Sequence, residues 1–245
     1  MIPAGFIGLN SLASSSFSGF GGGVFVILSG ALLFAASVLH LTACLIHRDG
    51  IRKASKVFLV PLAACLHISL CGFRYPLFLI GLFFGWLGDI FLIPKDRKGT
   101  FIAGAVFFMA GHAFYVSNAF SEGLPQRTFS ALGGFSVVIT VLAVILVGTL
   151  AFIALSRRLN KKLLAVFVVY MAALLTMAGT LVYSALTMNT ASAVLLCAGA
   201  PLFALSDFLL GAGIARAFRV KSSRFWVMIT YILAQTCISL GLALM

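Results

Sequence analysis

From residue 24 onward the sequence is a succession of apolar runs, each near the ~20 residues a helix needs to cross a bilayer, separated by short loops. Lipid offers backbone N–H and C=O groups no partner, so runs of this length must satisfy their own hydrogen bonds as helices. The expected spans are 24–46, 56–72, 76–93, 100–120, 134–156, 163–186, 190–215 and 225–244. At 62% hydrophobic and 9% charged residues, no ordinary soluble domain fits beside them. The expectation is an all-α membrane protein: one bundle of eight transmembrane helices over 24–245. Residues 1–23 are Ser/Gly-rich and hold no Lys or Arg. A secretory signal carries a basic start, so this stretch reads as a flexible leader.

The basic residues give an independent check on that count. Arg48, Arg52, Lys53 and Lys56 fall at the first loop, and Lys95, Arg97 and Lys98 at the third. Arg157, Arg158, Lys161 and Lys162 fall at the fifth, and Arg216, Arg219, Lys221 and Arg224 at the seventh. Only Arg74 and Arg127 lie elsewhere. A span missed or invented would destroy this alternation. By the positive-inside rule the odd loops are cytoplasmic and both termini lie on the other side. The formal charge of +12 is therefore orientation charge rather than a nucleic-acid footprint. Short loops without soluble extensions point to a bacterial cell membrane, with an endoplasmic-reticulum membrane as the alternative. The five cysteines lie in or beside apolar runs with no CxxC spacing, as space-fillers do.

Inside this apolar frame two acids stand out. The stretch GLFFGWLGDIFLI carries Asp89 alone, and GAPLFALSDFLLGAG carries Asp207 alone. A carboxylate at such depth costs roughly 2.5–3.5 kcal/mol on insertion scales, so it faces a cavity or a partner and marks a functional site. Gly81, Gly85 and Gly88 share a helical face adjoining Asp89, where a neighbouring backbone can come close. At 1.5 Å of rise per residue, Asp89 lies roughly 7 Å from the inner end of the third helix and Asp207 roughly 13 Å from that of the seventh. Tyr231 lies roughly 9 Å up the eighth helix, with Gln235 one turn further on the same face. His112 shares a face with Tyr115 midway along the fourth, and Lys56 stands where the second leaves its basic loop. By depth, these groups belong to the cytoplasmic half of the membrane. His40, His67, Tyr170, Tyr183 and Ser184 read as packing or interhelical hydrogen-bonding groups.

Other site chemistries find less support. A catalytic zinc usually takes three His, Cys, Asp or Glu ligands, and no HxxxH or HxxE pair is present, so no metal or other cofactor is expected. No GxSxG elbow occurs, and Ser206 points away from its neighbour Asp207 on a helix. No phosphate loop is present. Two carboxyls in one dry site do not both ionise readily, which leaves one as an acid and one as a carboxylate. That pair suits hydrolysis through an oxocarbenium-like state. A lipid bond that breaks this way is a vinyl ether.

At these residues the chain resembles the YhhN-like lysoplasmalogenase family of integral membrane hydrolases. The resemblance rests on Lys56, Gly88-Asp89 with FLI after it, the run Gly111-His112-Ala113-Phe114-Tyr115, the run Leu202-Phe203-Ala204-Leu205-Ser206-Asp207, and Tyr231-Ile232-Leu233-Ala234-Gln235. It covers helices two to eight, and one departure is visible: Pro61 follows Lys56 later than in some relatives. The resemblance implies cleavage of the vinyl ether of lysoplasmalogens to a fatty aldehyde and a glycerophospho-head group. Under it Asp89 and Asp207 form the acid/base pair, and Lys56 meets the phosphate. His112 and Tyr115 orient a carboxyl or water, and Ser206, Tyr231 and Gln235 complete the lysophospholipid-binding set. The rivals are a proton-coupled transporter or lipid flippase using the same acids as a relay, and a lipid-binding protein without catalysis.

Overall fold

The apolar runs become eight helices, and no strand occurs among the described residues. The computed structural model describes residues 20–93, 98–157, 159, 161–214 and 222–245. In chain order the helices are α1 (Phe20–Leu45), α2 (Asp49–Cys71), α3 (Pro76–Phe91), α4 (Lys98–Ser121), α5 (Leu124–Ser156), α6 (Lys161–Ala185), α7 (Thr190–Ile214) and α8 (Ser223–Ala243). Seven are long and apolar enough to cross a membrane, whereas α3 is apolar but only 16 residues long. It stops ahead of Pro94, which disfavours helical geometry in the residue before it. The leader expected over 1–23 lies outside the described residues, apart from 20–23, which open α1. The basic residues of 94–97 and 215–221 also lie outside them.

Two helix starts differ from expectation. α2 opens at Asp49 rather than at residue 56, because a carboxylate in the first turn complements the unpaired N–H groups there. Arg52, Lys53 and Lys56 are thereby helical residues with set directions. α5 opens at Leu124 rather than at residue 134. Pro125 suits a first helical turn, and the short piece 124–132 ends at Gly133, whose φ of 71° is left-handed backbone that favours glycine. Thr128, on this piece, is buried and bonds to Thr187 at 2.8 Å, which ties it to the far end of α6.

Packing closes six helices into a ring. α2 packs on α3, α3 on α4, α4 on α6, α6 on α7, α7 on α8, and α8 back on α2. α1 lies outside against α2 and α8, and α5 outside against α6 and α4. One end of the ring is filled by side chains with almost no exposure, among them Tyr75, Phe78, Leu181, Leu196 and Leu242. The other end, where α2 and α8 begin and α3 and α7 finish, surrounds a cavity.

The helices of the ring are tied by specific bonds as well as by packing. Pro61 inside α2 has no N–H, so the Val57 carbonyl four residues earlier is left without its helical donor. Trp86 Nε1 on α3 donates to that oxygen at 2.8 Å. His67 Nδ1 donates to the Ser239 carbonyl at 2.9 Å, joining α2 to α8. Its Nε2 is then the acceptor nitrogen and receives the Cys71 thiol at 3.3 Å. Across α3 and α4 the glycines make the contact. A Cβ on Gly81 would lie 2.5 Å from the Tyr115 ring, and one on Gly111 2.9 Å from the Gly81 carbonyl.

Candidate active site

The ring encloses a cavity of about 670 Å³ lined by side chains from α1, α2, α3, α4, α7 and α8. Asp89 and Asp207 both line it, from α3 and α7, although they are far apart in the chain. Both are buried. Their partners differ. Asp89 Oδ1 lies 3.0 Å from Lys56 Nζ, and Tyr231 donates its phenol to Asp89 Oδ2 at 2.8 Å. A buried carboxylate paired with an ammonium and a hydroxyl has its charge compensated and keeps acceptor sites for a further donor. Asp207 Oδ2 accepts the Tyr170 hydroxyl at 2.5 Å and lies 3.9 Å from His112 Nε2. No Lys or Arg stands in ion-pair contact with Asp207 among the described residues.

Between the two acids the wall is aromatic. Phe203 on α7 meets the Tyr231 ring at 5.6 Å and the His112 ring at 5.2 Å, both edge to face. Phe108 on α4 lies 6.4 Å from each of the same two rings and lines the cavity. Gly88 admits Phe108, since a Cβ there would lie 2.6 Å from its ring. Aromatic faces carry partial negative charge and suit a passing cation. A narrow crevice of about 60 Å³ continues from Asp207 between α4, α6 and α7, lined by Phe101, Ala105, Leu163, Val166, Phe167 and Tyr170. Apart from Asp207 and the Tyr170 hydroxyl its lining is apolar, with room for the first few carbons of a hydrocarbon chain.

The remaining sequence candidates take distinct places. Gln235 is buried one turn beyond Tyr231, and its Oε1 accepts the Tyr115 hydroxyl at 3.0 Å. That bond, with Gly85 facing the Gln235 amide, forms a polar layer behind Asp89 rather than a cavity surface. Ser206 lines the cavity, but its hydroxyl donates to the Val227 carbonyl at 2.9 Å and so braces α7 against α8. His112 Nε2 is buried with no hydrogen-bond partner. Lys56, which the resemblance assigns to a phosphate, is engaged with Asp89. Among the described residues no three His, Cys, Asp or Glu side chains gather as a metal-binding group.

Tyr170 is the site residue that the sequence reading passed over. It stands roughly 13 Å up α6 from Lys161, at 1.5 Å per residue. That is the depth argued for Asp207 from the same end of the bundle, and this match was the available signal. Its apolar surroundings concealed it.

Residues 51–242 match the sequence model of the YhhN family, which spans everything from the start of α2 to the end of α8. No curated protein and no solved structure matches the chain.

Proposed function

The chain belongs to the YhhN family, and on that premise we propose that it is an intramembrane hydrolase cleaving the vinyl ether of lysoplasmalogens. The observation that carries this reading is the shared cavity: two buried carboxyls with unequal partners, beside an apolar crevice. Asp89, compensated by Lys56 and Tyr231, acts as the carboxylate. Asp207, held by the neutral Tyr170 hydroxyl, acts as the proton donor. The alkenyl chain lies along the crevice that begins at Asp207, which brings its double bond to that acid.

The steps balance without a cofactor. Asp207 gives its proton to the outer carbon of the C=C–O unit, and the oxygen lone pair supplies the electrons, forming an oxocarbenium ion. Asp89 and the faces of Phe108 and Tyr231 stabilise that cation. Water adds to the carbon that bears the ether oxygen while Asp89 accepts its proton. The resulting hemiacetal breaks its C–O bond to the glycerol oxygen, which takes the proton held by Asp89. Asp207 takes the hemiacetal hydroxyl proton as the fatty aldehyde forms, so both aspartates end as they began. His112 Nε2, buried and unpartnered, orients the water or the substrate oxygen.

Positive-inside orientation turns the cavity mouth toward the cytoplasm and leaves both termini on the other side, so the substrate arrives from the inner leaflet. The test is aldehyde release from lysoplasmenyl-ethanolamine by the purified chain. Positioned proton transfer contributes roughly 10²–10⁴-fold, so Asp89→Asn and Asp207→Asn are each expected to lose at least a hundredfold in kcat. No release by the wild-type protein sinks the hydrolase reading, and full activity in either variant removes that aspartate from the mechanism.

A further inference from the structure

At the mouth of the cavity the charges follow a second pattern that the acid/base pair does not use. Arg52, one turn nearer the start of α2 than Lys56, and Arg224, at the start of α8, both line the cavity. Arg52 Nε donates to Asp49 Oδ1 at 3.1 Å, and Arg224 Nη1 donates to the same oxygen at 3.2 Å. One carboxylate oxygen thus joins two guanidiniums from neighbouring helices of the rim, α2 and α8. Each guanidinium carries five N–H donors, and Arg52 Nη2 is buried with no hydrogen-bond partner. Deeper in, Lys56 is matched by Asp89. Among the described residues the rim therefore brings two guanidiniums to one carboxylate, and their donors lie in the planar geometry that recognises phosphate oxygens.

We propose that Arg52 and Arg224, bridged by Asp49, bind the phosphate monoanion of a lysophospholipid head group at the cavity mouth. The assignment rests on the lipid-hydrolase reading for its substrate and moves the phosphate away from Lys56. Length supports it. Arg52 precedes Lys56 by one helical turn, roughly 6 Å along α2. The three-carbon glycerol between a vinyl ether oxygen and its phosphate spans roughly 5 Å by ordinary bond lengths. A substrate whose ether meets the aspartates therefore carries its phosphate to the level of the two arginines. Lys56 stays at the depth of the chemistry, compensating Asp89.

The experiment measures binding of an uncleavable ligand to the full chain in detergent. The probes are 1-O-alkyl-lysophosphatidylethanolamine, the phosphate-free 1-O-alkylglycerol, and glycerophosphoethanolamine, which has no chain. The wild-type protein should bind the first at least tenfold more tightly than the second. Arg52→Gln and Arg224→Gln should each reduce that ratio about tenfold. Glycerophosphoethanolamine that competes in the wild type and fails to compete in the variants assigns the site to any phosphodiester. If it does not compete, the site reads phosphate only on a lipid. A wild-type ratio near one, or folded variants that keep the full ratio, overturns the proposal. If Arg52→Gln does not fold, Arg224→Gln decides, since that side chain is 46% exposed. The alkyl ether cannot release aldehyde, so this result stands or falls apart from the hydrolase test.

Discussion

The site is built from unequal hydrogen bonds on chemically equal groups. Asp89 and Asp207 are both lone acids in apolar stretches, and the sequence gives no ground for separating their roles. The separation comes from Lys56 and Tyr231 on one side and Tyr170 and His112 on the other, contributed by four further helices. Tyr170 is the sharpest test of this division, since it touches Asp207 and the sequence marked it only by a matching depth. Tyr170→Phe removes one hydroxyl and keeps the ring against His112. A hydrogen bond to a charged or reacting carboxyl is worth about 1.5–3 kcal/mol, so kcat should fall roughly 10- to 100-fold. KM should change much less, because Tyr170 positions the acid rather than the head group. An unchanged kcat, or a loss carried wholly by KM, would show that Tyr170 is only packing. The acids stood out because a charge in lipid is costly and therefore conspicuous, whereas His112 and Tyr231 entered the expected site through the family resemblance. Tyr170 did neither, since a tyrosine in an apolar run is also an ordinary packing residue.

At the level of helices, legibility depended on whether the cause was local. The face Gly81, Gly85 and Gly88 was readable from spacing alone, and all three are buried. Its partner, Gly111 on α4, was not, because which helix lies opposite is a tertiary fact. The two misplaced starts have the same origin: hydropathy marks where lipid begins, whereas α2 and α5 begin earlier, in polar sequence favoured by Asp49 and Pro125. The close α3–α4 contact makes Gly81 a structural control on the site. Gly81→Val would drive carbon into the Tyr115 ring, already 2.5 Å from a single added Cβ. Because the Tyr115 hydroxyl holds Gln235, the strain passes to the layer behind Asp89. Overpacking of this kind costs about 1–3 kcal/mol, so a lower Tm and reduced activity should appear together. A variant with wild-type Tm and activity would mean that α3 and α4 are less closely packed than described.

For the molecule as a whole, chain order is a poor guide to neighbourhood. The ring skips α5, so α4 meets α6 directly, and α8 returns to α2. Counting helices and measuring depth along each was possible from hydropathy and the 1.5 Å rise. Deciding that six of them close into a ring, with a chamber at one end, was not. What the ring adds is a direction. Arg52, Lys56 and Arg224 line the chamber at one end, while Tyr75, Phe78 and Leu242 fill the opposite end, so the chamber lies toward the basic side of the bundle. The positive-inside rule expects that side to be cytoplasmic, and under the proposed lipid hydrolysis that orientation is a condition on the substrate's route as well as on topology. Single exposed cysteines test it: Gln126→Cys at the start of α5 and Lys53→Cys near the start of α2, both away from the cavity lining. An impermeant maleimide should label Gln126→Cys in intact cells and Lys53→Cys only after permeabilisation. The reverse pattern would place the cavity mouth on the non-cytoplasmic face, and the lipid would then have to come from the outer leaflet.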